Sequence, residues 1–204
     1  MKKTLLILLL IIPFLSFSQK KYIKYYDNNN IKVEGNLDSE GKQDGEWKFY
    51  YENGKVSDIN IFKNGVANGL TVNYYKNGTI HLKGNLKNGK EDGEWKFYYA
   101  SGVLEKKFNY TNGIRTGEQR SYFESGKIKT IKNIVMCDFD KLYPDPTPAF
   151  FGTKESCADG IWIEYYENGQ IKKETIYKLA ERIKKTCYTE EGFNVYCDSG
   201  LWME

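Results

Sequence analysis

Asp44-Gly45-Glu46-Trp47-Lys48-Phe49-Tyr50-Tyr51-Glu52-Asn53-Gly54 returns almost unchanged as Asp92-Gly93-Glu94-Trp95-Lys96-Phe97-Tyr98-Tyr99-Ala100-Ser101-Gly102. Weaker copies lie between and beyond, at a period of 24: Gly45, Gly69, Gly93 and Gly117 form one column, and Gly54, Gly78, Gly102 and Gly126 another. Before the first full copy, Tyr25-Tyr26-Asp27-Asn28-Asn29 puts Asn29 in the slot of Gly54, and Asn is the residue after Gly most tolerant of a left-handed backbone. A further unit runs from Gly160 to Gly169, 19 residues late, and a half unit, Gly200-Leu201-Trp202-Met203, follows with 16 more inserted. Self-similarity at such a period marks one supersecondary unit copied and stacked.

Each unit holds two turn signals, such as Asn53-Gly54 and Asn64-Gly65, between short runs of Tyr, Ile, Phe and Trp. Asn-Gly in that setting predicts a tight hairpin, because a type I′ turn needs positive φ at both central residues. Glycine recurs too often for long amphipathic helices. The expected fold is all-β, an elongated ribbon of antiparallel hairpins with two loop insertions, about 55–60 Å long for a dozen strands at their usual spacing. In the second strand of each unit, Ile31, Val56, Ile80, Leu104, Ile128 and Ile171 follow the turn. Six residues later come Leu37, Phe62, Leu86, Tyr110, Ile134 and Tyr177. The shared parity predicts one buried face. The first strand breaks the rule, since Trp47, Phe49 and Tyr51 have one parity and Leu70, Val72 and Tyr74 the other. A bulge or burial on both faces would each produce that. Equivalent side chains of successive units, about 10 Å apart, are expected to need a bridging side chain between them.

Outside the repeats, Met1-Lys2-Lys3, an apolar run from Leu5 to Ile12 and Ser16-Phe17-Ser18 read as a signal peptide over 1–18, leaving a mature domain 19–204. The run is too short for a spanning helix and is interrupted by Pro13. Export to the periplasm, cell surface or medium is the expectation. Removing Lys2 and Lys3 from the 30 basic residues leaves 28 against 27 acidic ones, so the mature charge of +1 offers no basic stripe for a nucleic acid. All four cysteines flank the insertions, placed at about 136–156 and 179–197. In an exported chain they read as disulfides. Of three connectivities, Cys137 with Cys157 and Cys187 with Cys197 is favoured, because each pair closes its own insertion. The first insertion carries Tyr143-Pro144-Asp145-Pro146-Thr147-Pro148 and Phe150-Phe151, either a small core of its own or a contact patch. The second, Leu179 to Thr186, has a mixed charge pattern that fits a turn or two of helix.

The unit Gly-x-Trp-x-x-Tyr-Tyr-x-Asn-Gly-x-hydrophobic, as in Gly93 to Leu104 with Ser101 in the Asn slot, resembles the bacterial variant of the MORN repeat, and chains built from it often carry the label YwqK-family antitoxin. The resemblance covers roughly 22–135, 160–178 and 200–204. It implies a hairpin ribbon that serves as a binding or scaffolding module, with lipids and proteins both discussed as ligands and no catalytic residues to carry over. A signal peptide fits poorly with neutralising a cytoplasmic toxin.

The residues themselves point away from catalysis. Glu46, Glu94 and Glu118 share a column but stand too far apart for a glycosidase pair, and read as solvated groups beside Lys48, Lys96 and Arg120. His81 is the only histidine, no phosphate loop or nucleophile elbow is present, and neither metal nor cofactor is expected. The expected activity is protein binding, through the insertions (Tyr143, Phe150, Phe151) and one sheet face. Glycan stacking on exposed Trp47, Trp95 or Trp162 and peripheral lipid association are the alternatives. An open edge at Gly200 to Glu204 would permit self-association. Gly45, Gly54, Gly69, Gly78, Gly93, Gly102, Gly117, Gly126, Gly160 and Gly169 are assigned structural turn positions.

Overall fold

The computed structural model describes residues 20–138, 154–195 and 197. Tyr143, Phe150, Phe151, the leader and the half unit at Gly200 lie outside them. The described residues form one open sheet of fifteen antiparallel strands and contain no helix. The strands are β1 (Lys20–Tyr25), β2 (Ile31–Leu37), β3 (Gln43–Tyr50), β4 (Val56–Lys63), β5 (Val66–Tyr74), β6 (Ile80–Lys87), β7 (Lys90–Tyr98) and β8 (Leu104–Thr111). They continue as β9 (Ile114–Tyr122), β10 (Ile128–Asp138), β11 (Lys154–Ala158), β12 (Gly160–Tyr165), β13 (Ile171–Lys178), β14 (Glu181–Tyr188) and β15 (Asn194–Val195). Each pairs with the next, except that β10 carries β12 beside its first half and β11 beside its second. Fourteen strands in line at the usual spacing give a ribbon of about 60 Å.

Two turns alternate along the two rims, and they differ chemically. Along one rim, Asn64-Gly65, Asn88-Gly89 and Asn112-Gly113 have positive φ at both residues, between 51° and 84°, as a type I′ turn requires. Along the other rim only the glycine of Asn53-Gly54 is left-handed, with φ of 80°. The Tyr51 N–H donates to Lys55 O at 2.8 Å, and the Gly54 N–H to Tyr51 O at 2.9 Å. This is a type I turn closed by a glycine bulge, not the type I′ turn expected there. The bulge shifts the register: Phe49 faces Asp58, but Tyr50 faces Val56. The same shift recurs at Tyr25/Ile31, Tyr74/Ile80, Tyr98/Leu104 and Tyr165/Ile171. Counting parity from Val56 to Phe62 therefore crosses an extra residue, and the one-face argument fails for the first member of each pair. Phe62 and Tyr110 do face the core, in edge contact with Trp47 and Trp95.

The expected second insertion is a repeat in disguise. Residues 181–188 form β14, paired with β13 along its length but for a bulge at Ile183 and the final Tyr188, where a helical turn was expected. Leu179 and Ala180 hold the type I′ slot at φ of 47° and 74°, and the Ala180 N–H donates to Ala158 O at 2.8 Å, as Gly65 donates to Gln43 and Gly89 to Ala67. Gly192, with φ of 90°, continues the Gly54 column, and the Thr189 N–H closes the same turn onto Phe193 O. The pairing partners available on β13 override the local charge pattern. A side chain in a left-handed conformation costs about 1–2 kcal/mol, so the Leu179-Ala180 turn carries strain that its Asn-Gly counterparts avoid.

Successive repeats touch directly, against the expectation of a bridging side chain. The Tyr26 hydroxyl donates to Tyr50 O at 2.6 Å, Tyr51 to Tyr74 O at 2.6 Å, Tyr75 to Tyr98 O at 2.8 Å, Tyr99 to Tyr122 O at 2.8 Å and Tyr166 to Tyr188 O at 2.9 Å. A tyrosine leaving the sheet at a turn, extended by one hydrogen bond, covers the ~10 Å between alternate strands. The series skips one rung, because Phe123 occupies the slot between Tyr99 and Tyr166. A cavity of about 280 Å³, lined by Phe123, Tyr165, Tyr166 and Glu190 among others, lies at this joint. Tyr75→Phe is expected to cost about 1 kcal/mol and Phe123→Tyr to restore a rung worth about the same, as read from urea denaturation midpoints of the two variants.

Candidate functional site

The core is thin and lies mainly on one face, with Val72 buried on the other. Trp47 and Trp95 are 4% and 8% exposed, and each indole lies flat over a glycine of the preceding strand, Gly35 and Gly84, where a Cβ would collide with the ring. The indole N–H of Trp47 donates to Asn36 O at 3.0 Å, that of Trp95 to Asn85 O at 3.2 Å and that of Trp162 to Asn133 O at 2.8 Å. At Trp162 the glycine is replaced by Lys132, whose ammonium lies 4.8 Å from the ring centroid. Between the tryptophans the same column holds buried Thr71 and Gln119, so the large side chain returns only in alternate repeats. Thr71 donates to the Asn60 side chain and Asn73 to Asp58. This polar filling explains the parity reversal at β5: with Thr71 in the Trp slot, Leu70 and Val72 turn to the other face, where Ile59 pairs with Val72.

Two of the three tryptophans named for sugar stacking are thus core residues. A ring packed to this depth, with its N–H already satisfied, has no free face for a pyranose.

The opposite face divides into charged and apolar stretches. Lys48 meets Glu46 at 3.0 Å, Lys96 meets Glu94 at 2.6 Å and Arg120 meets Glu118 at 2.5 Å, the solvated pairs expected from the sequence. The Lys96 ammonium holds the Glu94 carboxyl below the usual carboxylate range. His81 packs against Tyr75, with ring centroids 4.6 Å apart. Tyr50 donates to Glu34 at 2.5 Å; burial and that carboxylate push the Tyr50 hydroxyl up to about 12. Burial likewise raises Tyr75 and Tyr99. A group whose folded pKa lies above its unfolded value near 10 contributes stability that is complete below pH ~10 and lost as pH rises toward 12. A phenolate cannot donate, so the rungs made by Tyr75 and Tyr99 are lost as those hydroxyls ionise. Tyrosinate absorbance and far-UV circular dichroism are expected to change together in an alkaline titration.

At the far end, Ile161 and Ile176 face one another across β12 and β13 on this second face, 53% and 37% exposed. Lys184 pairs with Ile176 in the next strand, and a shallow cleft of about 250 Å³ runs between them, lined also by Glu174, Thr186 and Tyr188. The Tyr188 hydroxyl donates to Glu174 at 2.9 Å. Leu179, at the strained turn, and Ile183, at the register shift of β14, are also exposed, 44% and 56%. Nothing in the repeat columns signals this patch, since its strand was masked by the missing Asn-Gly.

The cysteines pair as favoured from the sequence. Cys137 and Cys157 have Cα atoms 5.9 Å apart and Cys187 and Cys197 5.2 Å, both disulfide-bonded and within the range the bond requires. The first joins β10 to β11 and staples the extended hairpin to the ribbon rim, where the Ser156 hydroxyl donates to Arg115 O at 2.9 Å.

An open sheet of hairpins with turn glycines in register is the architecture of a stacked-repeat binding module. The MORN repeat variant matches four segments, 43–64, 91–112, 115–135 and 158–179; three of them end at a type I′ turn or its equivalent, and the third ends within β10. These repeats are generally non-catalytic modules that bind proteins or lipids. A comparison with curated proteins gives no match.

Proposed function

We propose that this chain is an exported, non-enzymatic module that binds a protein partner on the second face and the stapled hairpin of its C-terminal half. The observation that carries the reading is the concentration of irregularity there: both disulfides, the side hairpin and the exposed isoleucines fall after residue 130 of an otherwise repetitive scaffold. Two disulfides and the apolar run from Leu5 to Ile12 support an oxidising destination. An antitoxin-like role draws only on the resemblance of the repeat. The test is affinity capture with the mature chain from envelope and medium fractions, beside a chain lacking residues 139–153 with both cysteines of the staple retained. Retention of a specific protein by the full chain alone supports the reading; retention of none by either defeats it. Alkylation of thiols in fractionated cells, giving no labelled cysteine in an exported pool, tests the destination independently.

A further inference from the structure

We infer that the ribbon has a built-in joint at the β10/β12 boundary, which parts at the rim of the glycine-bulge turns and is held closed at the opposite, stapled rim. The inference concerns motion within the chain and stands apart from the protein-binding reading.

At the glycine-bulge rim this boundary lacks what closes its counterparts. The boundaries β2/β3, β4/β5, β6/β7, β8/β9 and β13/β14 are each spanned by a tyrosine hydroxyl bonded to a carbonyl of the next repeat. At β10/β12 the slot belongs to Phe123, which has no hydroxyl to offer Tyr165 O. The cavity of about 280 Å³ opens at this place. Thr130 and Glu164 face one another there, yet each side chain bonds within its own half: Thr130 shares a 2.7 Å bond with the Ser121 hydroxyl, and Glu164 meets Lys173. Among the described residues, the side-chain bond that crosses this rim comes from the exposed Lys127 ammonium, which donates to Glu167 O at 2.9 Å. The seat of Trp162 is altered as well. Lys132 stands where Gly35 and Gly84 receive Trp47 and Trp95, and the indole is half-buried where theirs are buried.

The other rim is reinforced. The Trp162 indole N–H and the Asp159 N–H both donate to Asn133 O, at 2.8 and 3.2 Å. Beyond them β11 pairs with β10 over five residues, and the Cys137–Cys157 bond joins the same two strands. The Ser156 hydroxyl donates to Arg115 O, whose counterparts Gln43 O, Ala67 O and Glu91 O each accept from a turn glycine N–H. β11 runs into β12 through Asp159 alone. A boundary strong at one end and weak at the other opens as a door does, with the staple as its pivot. Repeat arrays separate into cooperative units where neighbouring repeats are coupled least. β12 to β14 therefore swing as one unit, and opening uncovers the cavity, Trp162 and the backbone groups of Thr130 and Ile131.

Residue-resolved amide hydrogen exchange on the oxidised mature chain tests the joint. The amides that pair Thr130 and Ile131 with Glu164 and Ile163 are expected to exchange about fivefold faster than those of the β6/β7 boundary, the worth of one rung. The β10/β11 amides beside the staple and the β12/β13 amides are expected to stay protected. Phe123→Tyr is expected to slow the joint about fivefold and leave β6/β7 unchanged. Tyr75→Phe is expected to give β6/β7 the same about fivefold gain in exchange, with the joint unchanged. With Cys137→Ser and Cys157→Ser, the β10/β11 amides are expected to open together with the joint. Equal protection at β10/β12 and β6/β7, or an unchanged joint in Phe123→Tyr, overturns the inference. So does exchange of the β12/β13 amides as fast as the joint, which would be fraying from the end of the array. Exchange of the β10/β11 amides in the same step while the disulfide is intact also overturns it, because the staple would then not be a pivot.

Discussion

Gly84→Val is expected to lower the stability of the ribbon by about 1–3 kcal/mol, and Trp95→Ala by about 3–5 kcal/mol, with the double variant less destabilised than their sum. Trp95 covers Gly84 so closely that no Cβ fits. Valine must therefore displace the indole and break its 3.2 Å hydrogen bond to Asn85 O. Once the ring is gone the valine has space and favours the strand. The double-mutant cycle isolates this contact, and guanidinium denaturation followed by circular dichroism reads it. If the two losses simply add, the indole does not depend on the glycine. Valine at Gly35 beneath Trp47 should behave alike, whereas Lys132 beneath Trp162 already shows that the third site has a different solution.

Loss of the Cys137–Cys157 bond is the second large effect. The disulfide closes a loop of 20 residues, for which chain entropy assigns about 3 kcal/mol. In a repeat array stability is close to a sum of local units and their interfaces, so the loss should be local. Cys137→Ser with Cys157→Ser is expected to expose the amides of β11 and the end of β10 to hydrogen exchange while leaving β3 to β7 protected. Uniform loss of protection along the chain would mean that the staple supports the whole ribbon. Acid should act elsewhere: the Tyr50 hydrogen bond and the Lys96 ammonium hold the Glu34 and Glu94 carboxyls below their ordinary value of 4.5. Their contribution is complete above that value and lost as pH falls through the folded pKa, as an acid titration of the unfolding midpoint would read.

The hairpin ribbon was legible because Gly45, Gly54 and their copies occupy positions that only left-handed residues fill, and such positions announce themselves at fixed spacing. The disulfide pairing was legible for a related reason: each pair brackets a departure from the period. What was hidden depends on contacts between non-equivalent positions. Gly35 and Gly84 belong to neither turn column, and their use appears only when Trp47 and Trp95 are seen lying across them. The tyrosine rungs required knowing that residues such as Tyr51 leave the sheet plane at a bulge. The last repeat was hidden at Leu179-Ala180, where the backbone keeps the left-handed turn although the sequence has dropped its signal. The candidate surface was hidden with it, since Ile176 and Ile183 read as ordinary strand residues until β14 is placed.

The five rung hydroxyls all reach toward the following repeat, and this gives the array a direction of growth. A hairpin duplicated ahead of β1 would bring a hydroxyl able to donate to the Tyr25 carbonyl, the equivalent of the acceptors at Tyr50 and Tyr74. One appended after β15 would meet Thr189, whose short side chain is already turned inward as acceptor for the N–H groups of Glu191 and Phe193. Gene duplication or design can therefore add a hairpin ahead of β1 with the existing chemistry intact, whereas one added after β15 would need a new donor in place of Thr189.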